Sequence, residues 1–470
     1  MGKGERKDLL ECTSNKLQKG ITFAKGVCDV RDCECGGDRK EGNGRTDKNG
    51  VAMQVAKSIA LLVVMLVGMS SVRLAAQASV STQEIDGRTN GDGAGKRRNL
   101  IQVAVPLLSV APDSRAAGMG DVGAASEPDV NSQHWNLSKY ALIDKKWGIS
   151  LSYIPWLRRL TKDINLAYLA GYYRIDKWQA VSASLRYFSM GQMNFTDEQG
   201  QPISTHNPNE FAIDVGYSRR FIDGFSGGVG FRFIRSDLTG GVAQANQTSK
   251  AGMSYAADVT LYYEKGLSVA QLPAEMAFGA AFTNIGSRMS YNGVHKYFIP
   301  ITMRLGGRFT VSLDDYNMVS GMVDASKLLV PTPPLYNPDR TIAKGKNPDV
   351  GVAQGVFQSF ADAPGGSLEE FHEVYWGAGG EYWYNRLFAL RFGYFYEHQS
   401  KGGRQYFTIG AGVSYNVFTL DAAYLIPTAG FNSPMANTVR FSLMVNFNEP
   451  AKKSKAKLGA SKTEKEETTN

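Results

Sequence analysis

From residue 147 onward, apolar side chains occupy every second position, and small or polar residues stand between them. In residues 147–153, for example, Trp, Ile, Leu and Tyr alternate with Gly and Ser. Because successive side chains of a β-strand point to opposite faces, each such segment predicts a strand with one apolar and one polar face. About fourteen segments follow this rule, with centres near residues 150, 168, 184, 215, 230, 258, 279, 304, 320, 378, 391, 410, 420 and 443.

The connections between these segments alternate in length. Those after odd-numbered segments are long or intermediate, and the longest spans 327–371. Those after even-numbered segments are mostly tight, as at Asp223-Gly224, and only 265–273 is longer. Long loops at one end, short turns at the other and an even strand count are typical of outer-membrane barrels. We therefore predict an all-β, transmembrane antiparallel barrel of about 14 strands over 147–448, with both termini on the periplasmic side.

Other fold classes explain fewer of these features. A secreted β-sandwich also has short alternating strands, but it gives no reason for the alternating loop lengths or for Tyr and Phe at strand ends. No run of 18 or more apolar residues occurs, which argues against membrane-spanning helices. An aromatic content of 11% is too high for a mostly disordered chain.

The front of the sequence contains an export signal that does not start at residue 1. Lys57 precedes a short apolar run, and Ala76-Gln77-Ala78 matches an A-x-A cleavage site. We predict a signal peptide at 53–78, with 1–52 a mis-annotated or discarded extension. This extension holds all four cysteines, whose spacing fits no standard zinc site.

The formal net charge of +8 lies mostly outside the predicted barrel. Segments 1–52, 53–78 and 451–470 carry +2, +2 and +3 of it, which leaves +1 for 79–450. A nearly neutral body gives no support to nucleic-acid binding. The Lys/Glu-rich end, 449–470, is predicted to be a disordered periplasmic tail.

Residues 79–146 precede the first strand and are predicted to contain a plug inside the barrel. Gly118, Gly120 and Gly123 match GxGxxG, but no adequate strand precedes them, so a dinucleotide-binding loop is excluded. The predicted luminal plug residues are Pro112, Asp113, Arg115, Gly118, Met119, Gly120 and Asp121. Arg115 is expected to pair with an inward-facing carboxylate, such as that of Asp214, Asp258 or Glu381.

Several strings in the sequence resemble one family. They are APDSRAAGMGDVGAA at 111–125, HWNLSK at 134–139, LSYIPWLRRL at 151–160, KLLVPTPP at 327–334, GVFQSFADAPGG at 355–366 and FNSPMANTVRFSL at 431–443. These strings are similar to the PorV (LptO) family, whose members are outer-membrane proteins of the type IX secretion system. The resemblance covers about 100–448 and includes loops as well as strands.

The resemblance implies a FadL-like barrel of fourteen strands from a Bacteroidetes bacterium. It also implies a shuttle and scaffold, which collects secreted cargo by its C-terminal signal domain and delivers it to the cell-surface attachment complex. The expected partners are these signal domains, the type IX translocon, the PorU-containing attachment complex, and the outer membrane with its lipopolysaccharide. We expect no enzymatic activity, no cofactor, no metal and no nucleic acid.

The loop 327–371 is the leading partner-binding candidate. It joins an apolar, proline-stiffened stretch to several phenylalanines, which suits docking at a low cost in ordering entropy. Folding back over the barrel mouth as a plug is the equal alternative. The candidate partner-binding residues are Lys327, Leu328, Leu329, Val330, Pro331, Pro333, Pro334, Phe357 and Phe360. A second predicted extracellular loop, Trp-Leu-Arg-Arg at 156–159, is expected to belong to the aromatic girdle and contact lipid headgroups, with lipopolysaccharide phosphates or a protein partner as the alternatives.

Two other functions stay open. A FadL-like transporter of hydrophobic solutes would need an apolar luminal site, and Ile234, Tyr262 and Trp383 are among the few large apolar residues on the inward face. A lipid A deacylase would need a nucleophile beside a base. Glu397-His398 with Ser400 is the nearest grouping, but closeness in sequence does not make a catalytic triad.

Overall fold

The computed structural model describes residues 98–155, 163–196, 201–238, 240, 243–244, 247–428 and 438–447. The predicted extension 1–52, the signal peptide 53–78 and the tail 449–470 lie outside the described residues. The predicted loop at 156–159 also lies outside them.

The described chain forms a closed antiparallel barrel of fourteen strands. The strands are β1 Trp147–Pro155, β2 Ile164–Arg174, β3 Gln179–Met190, β4 Asn209–Ile222, β5 Phe225–Asp237, β6 Gly252–Val269, β7 Leu272–Gly286, β8 Thr302–Ser312, β9 Asn317–Leu328, β10 Val374–Tyr384, β11 Phe388–Tyr396, β12 Gln405–Tyr415, β13 Phe418–Pro427 and β14 Val439–Phe447. Each strand pairs with the next, and β1 pairs with β14, with Ile149 opposite Val445. The predicted barrel and all fourteen predicted strand positions are confirmed.

Side chains alternate between the outer and inner surfaces of this wall as the sequence pattern predicts. On β1, Ile149 and Leu151 are exposed on the outside, whereas Ser150 and Ser152 are fully buried on the inside. The outer surface therefore presents apolar side chains to lipid, and the inner surface is lined mainly by small and polar residues. Among the described residues, no helix is long and apolar enough to span a membrane.

Short turns close one end of the barrel, and long loops leave the other. The turn between β6 and β7 consists of Ala270 and Gln271, whose φ angles of 49° and 64° suit a tight hairpin turn. The longer connection predicted at 265–273 is therefore wrong. Residues 265–273 are mostly exposed on both faces of the hairpin because the hairpin extends past the barrel. The alternation of apolar and polar residues therefore fades there, although the two strands remain paired.

The long loops carry small elements of their own. Two-stranded sheets pair Met193–Thr196 with Pro202–His206, Ala243–Gln244 with Gln247–Thr248, and Leu335–Tyr336 with Ile342–Lys344. The loop between β9 and β10 contains two short helices, α3 Val352–Gln358 and α4 Ser367–His372, and a 3-10 turn, Gln399–Lys401, lies between β11 and β12. These loops lie at the end opposite the short turns.

The segment 98–146 runs through the lumen from the long-loop end to the start of β1. At its outer end, the Asn99 N–H donates to the Ser400 carbonyl oxygen (2.9 Å), and the Ala104 N–H donates to the Phe298 carbonyl oxygen (2.8 Å). The termini, which are predicted to lie on the periplasmic side, fall outside the described residues, and the first described residues lie at the extracellular end. Inside the barrel the segment forms a 3-10 turn Pro106–Ser109, helices α1 Ser114–Ala117 and α2 Ser132–Trp135, and a 3-10 helix Leu137–Leu142.

Candidate functional site

An ion pair joins the plug segment to the inner wall. Arg115 of α1 donates to both carboxylate oxygens of Glu381 on β10, from Nε to Oε1 at 3.0 Å and from Nη2 to Oε2 at 2.8 Å. A third hydrogen bond runs from Arg115 Nη1 to Asp129 (3.1 Å). Arg391 of β11 also donates to Glu381 (2.8 Å) and to Asp421 (2.7 Å). Buried charges of opposite sign are thus paired, and these pairs link α1 to the neighbouring strands β10 and β11 and, through Arg391, to β13.

Of the three carboxylates expected for Arg115, only Glu381 pairs with it. Asp214 and Asp258 instead pair with Arg232 of β5, which lies 3.1 Å from Asp258. The inward face predicted for all three acids is confirmed by their burial. Which of them meets Arg115 depends on distances across the lumen, which no local pattern records.

Asp113 fixes the start of α1 and the position of α2. Its carboxylate accepts from the Ala116 N–H (2.9 Å) and from Trp135 Nε1 (2.6 Å). Asp113 is therefore a structural cap that joins two parts of the plug.

Glycines on both partners let the plug backbone touch the wall. A Cβ atom on Gly393 of β11 would lie 2.1 Å from the Gly120 nitrogen, and one on Gly379 of β10 would lie 2.3 Å from the Met119 carbonyl oxygen. The Gly120 N–H donates to Thr408 Oγ1 of β12 (2.9 Å). Gly120 also has a φ of +75°, which other residues rarely adopt. The glycine-rich string thus serves close packing.

The remaining predicted plug residues are also buried in the lumen. Pro112 is buried, and Gly118 packs against the β12 backbone. Asp121 accepts from the Tyr406 hydroxyl (2.6 Å) and from Arg440 Nη1 (3.2 Å). Segment 112–121 therefore contacts five consecutive strands, β10 to β14.

The proline-rich part of the long loop folds into the barrel mouth. Leu329 and Val330 are each 2% exposed, and Pro331 and Pro334 are buried. Leu329 and Val330 pack in a luminal apolar cluster that also includes Leu107, Leu108, Ile154, Leu166, Ile234, Phe298, Ile299 and Ile301. This is the plug alternative, and their burial contradicts a freely exposed partner-binding surface. Leu328 ends β9 and is half-buried, and Pro333 is also half-buried.

A buried ionic group ties this loop to the wall, and we call it the loop anchor: Lys327, Thr332, Glu369, Glu370, Glu373 and Lys401. Lys327, predicted as a binding residue, pairs instead with Glu373 and with Glu370 (3.0 Å). Lys401 pairs with Glu373 (2.9 Å) and with Glu369 (2.7 Å). Thr332 Oγ1 donates to Glu373 (2.6 Å). Glu373 therefore joins β9, the proline stretch and the β11–β12 connection.

The two helices of the loop present apolar side chains to solvent. Phe357 is 79% exposed and Phe360 is 48% exposed, and on the second helix Leu368 and Phe371 are 67% and 62% exposed. We call these four residues the phenylalanine patch. Because α4 is held by Glu369 and Glu370 of the loop anchor, Leu368 and Phe371 sit on an ordered base. The partner-binding role of Phe357 and Phe360 stays a prediction.

The packing of the long loop changes the pKa values of two of its acidic residues, Asp362 and Glu369. Burial raises the pKa of Asp362 to about 6, although the Thr332 N–H donates to its carboxylate (3.1 Å). Burial alone would also raise the pKa of Glu369, but hydrogen bonds from Lys401 and Asn99 lower it below its usual value. The anchor thus favours the ionised form of Glu369, whereas burial makes Asp362 a weaker acid than usual.

Sequence reasoning did not identify four residues of the loop anchor, namely Glu369, Glu370, Glu373 and Lys401. It also did not identify Asp129, Trp135 and Arg391, which take part in the plug contacts. The anchor residues come from three distant segments of the chain, so no local motif contains them. For Arg391, the inward face of β11 was a usable signal. Among the described residues, no group of three or more His, Cys, Asp and Glu side chains could hold a metal ion.

Comparison with known proteins gives one family and several barrels. The family model described as type IX secretion system protein PorV matches residues 93–335, just over half of the 470-residue chain. Similar solved structures include the Ralstonia pickettii toluene transporter TbuX (11% identity, TM-score 0.39, 72% of this chain and 98% of that chain). Another is a Pseudomonas aeruginosa FadL homologue (10% identity, TM-score 0.39, 75% of this chain and 99% of that chain). A third is the P. putida toluene transporter TodX (10% identity, TM-score 0.40, 72% of this chain and 99% of that chain). No curated protein matches the chain.

Proposed function

Because the chain belongs to the PorV family of type IX secretion system proteins and forms an outer-membrane β-barrel, we propose that it is a cargo shuttle and scaffold of that system. It binds the C-terminal signal domain of secreted proteins as they leave the translocon. It then delivers them to the surface attachment complex that contains PorU. The phenylalanine patch is the observation that carries this proposal.

Exposed aromatic side chains on an ordered base suit protein recognition. An apolar surface patch on an outer loop favours a partner, because water would otherwise cover it at a free-energy cost. Aromatic residues also supply much of the binding energy at protein interfaces. Since the loop anchor already orders α4, little conformational entropy of this helix is lost when a partner docks. Phe357 and Phe371 are the most exposed phenylalanines of the patch and are its proposed main contacts.

We propose further that the protein catalyses no reaction. His398 Nδ1 lies 2.8 Å from Ser400 Oγ, but the same nitrogen accepts from the Ser400 N–H (3.3 Å), as in a local turn cap. Glu397 pairs with Arg404 at 2.8 Å and 3.0 Å, so its carboxylate is engaged away from His398. This arrangement is that of a structured turn and gives no support to a lipid A deacylase.

Transport of hydrophobic solutes is the second candidate, and the luminal apolar cluster favours it. The cluster lies at the outer end of the lumen and includes Ile234, as the transporter alternative requires. Plug residues such as Leu107 and loop residues such as Leu329 fill it, so solute entry would require them to move. We therefore rank transport below the shuttle.

The test begins with deletion of the gene and localisation of secreted proteins that carry the C-terminal signal domain. Periplasmic accumulation, or release from the surface with the signal domain uncleaved, is expected. Complementation with Phe357→Ser/Phe371→Ser should restore the barrel but not surface attachment. Val294→Ser, which removes an equally exposed apolar side chain from another loop (68% exposed), should restore both. Normal surface attachment in the deletion strain would contradict the shuttle, and solute uptake would then be assayed.

A further inference from the structure

A recess of about 400 Å³ lies in the barrel wall at the end with the short turns. Its lining residues are Trp178, Gln179, Arg219, Arg220 and Phe221. The first two belong to the turn between β2 and β3 and to the start of β3, and the other three end β4. None of them belongs to the plug, the loop anchor or the phenylalanine patch. The recess is therefore a separate feature of the wall.

A β-bulge brings consecutive residues of β4 around this recess. The pairing of β4 with β5 shifts register between Arg220 and Ile222, which leaves Phe221 as an extra residue. In a regular strand, Arg220 would point to the face opposite its two neighbours, whereas a bulge redirects side chains. The Arg220 N–H also donates to the Trp178 carbonyl oxygen (2.7 Å). The bulge and this hydrogen bond together shape the recess.

The recess lies at the level of the lipid headgroups. Farther along the outer face of the same strands, Val181 of β3 and Val215 of β4 are exposed to lipid. At the recess itself, Trp178 is 38% exposed and Phe221 is 55% exposed. Aromatic side chains of outer-membrane barrels form girdles at both membrane interfaces. Because this is the end with the short turns, the recess faces the headgroups of the periplasmic leaflet.

Positively charged side chains surround the indole ring of Trp178. The Arg220 guanidinium lies 5.7 Å from the ring centre, and the Lys177 amino group lies 5.3 Å from it. Arg219 is exposed and stands opposite Gln179 in the pairing of β3 with β4. Within the described part of the chain, Arg219 forms no ion pair. Its guanidinium is therefore available to a ligand in the recess.

Two acidic residues border the recess, and both are engaged. Asp223 pairs with Arg220 (2.8 Å), and its side chain is 90% exposed. Asp176 accepts from two backbone N–H groups of its own turn, at 2.6 Å and 2.9 Å. Glu264 of the neighbouring β6 accepts instead from the Tyr262 hydroxyl (3.2 Å). Three basic residues against two acidic residues leave an excess of one positive charge around the recess.

We propose that this recess binds the headgroup phosphate of an anionic phospholipid in the periplasmic leaflet. The phosphate oxygens accept from the Arg219 guanidinium, whose planar set of N–H donors matches them. The acyl chains lie beside Phe221 and along the apolar outer face of β3 and β4. A zwitterionic headgroup adds an ammonium group, which the excess positive charge disfavours. This proposal does not depend on the proposed secretion role.

The test uses the purified full chain in detergent and measures the binding of added lipid by native mass spectrometry. Phosphatidylglycerol is expected to bind about fivefold more tightly than phosphatidylcholine, which has the same phosphate but an added ammonium group. Inorganic phosphate at millimolar concentration should not displace it, because phosphate has no acyl chain to lie on the apolar wall. Equal affinity for the two lipids, or displacement by phosphate, would overturn the proposal.

Two variants assign the preference to this recess. Arg219→Gln removes an exposed guanidinium and should abolish most of the preference for phosphatidylglycerol. Lys265→Gln removes an exposed positive charge at the same end of the barrel, in the β6–β7 hairpin, and should leave the preference unchanged. The thermal unfolding midpoints without added lipid should be equal, which shows that both variants fold. An Arg219→Gln chain that keeps the full preference would also overturn the proposal.

Discussion

Arg115 and Glu381 are 266 residues apart in the chain, yet they form two parallel hydrogen bonds inside the barrel. Both side chains are almost completely buried, at 7% and 1% exposed. A planar guanidinium facing a carboxylate in this way fixes orientation as well as distance. The pair therefore sets where the plug lies against β10.

Replacing Arg115 by methionine should loosen the plug and destabilise the barrel. Removing one partner of a buried ion pair costs about 3–5 kcal/mol, and because Glu381 keeps Arg391, we expect a loss of about 3 kcal/mol. The free energy of unfolding in detergent measures it. The control is Arg386→Met, whose guanidinium pairs with Glu127 at the surface and should cost less than about 1 kcal/mol. Similar losses for the two variants would show that the Arg115–Glu381 pair does not hold the plug in place.

Adding one methyl group at Gly393 should block insertion of the plug. Its Cβ atom would meet the Gly120 backbone at 2.1 Å, and backbone cannot rotate away as a side chain can. We expect Gly393→Ala to cost about 1–3 kcal/mol or more, with faster hydrogen exchange in 112–125. Gly321→Ala on β9 has open space around the new atom and serves as the matched control. Exchange that is equally slow in both variants would argue against close contact.

The long loop should become less stable as the pH rises from about 4 to above 6. The pKa of Asp362 is 3.8 ordinarily and about 6 in the folded loop, so the folded loop binds the proton more tightly. Its stabilising effect is complete below the ordinary pKa and is lost as the pH rises through the raised value. The pKa of Glu369 is lowered in the folded loop, so ionised Glu369 stabilises the loop. This contribution is lost only as the pH falls below about 4.5.

Hydrogen exchange of 329–373 at pH 5 and pH 7, corrected for the intrinsic rates, measures this effect. Asp362→Asn should remove the difference between the two pH values, because its side chain cannot ionise. Asp349→Asn changes an exposed acid of the same loop and should keep it. A loop equally protected at both pH values would show that Asp362 does not control it.

Replacing Phe357 and Phe371 by serine should weaken binding of an isolated cargo signal domain at least tenfold. Interface aromatics often contribute about 2 kcal/mol or more each, and a tenfold loss corresponds to about 1.4 kcal/mol. The thermal midpoint should hardly change, since both side chains are already in solvent. Titration of the domain into detergent-solubilised barrel measures the affinity, with Val294→Ser as the control. Unchanged affinity would place the binding surface elsewhere.

The barrel could be predicted from sequence because its evidence is local and repeated. Each strand shows the two-residue period by itself, so Ser150 and Ile149 reveal their faces without knowledge of the rest of the chain. The prediction of a long β6–β7 connection is wrong because the two-residue period fades outside the membrane, although Val269 and Leu272 still pair.

The site was predictable only in part, since it depends on contacts across the lumen. The inward face of Glu381 was clear, but its pairing with Arg115 needs the path of the plug. In the long loop, Val330 and Phe357 looked alike as apolar loop residues. Val330 is buried in the mouth and Phe357 is in solvent, and this difference depends on the folded path of the loop.

The segment 98–146 is hydrogen-bonded to the surface loops through Asn99 and continues directly into β1 at the far end of the barrel. One stretch of backbone thus reaches from the cell exterior to the periplasm within an unbroken ladder of strands. Contacts with the wall at Arg115 and Gly120 hold this backbone on its way through the lumen. The two ends of the barrel are therefore bridged by one continuous covalent chain that lies inside the wall.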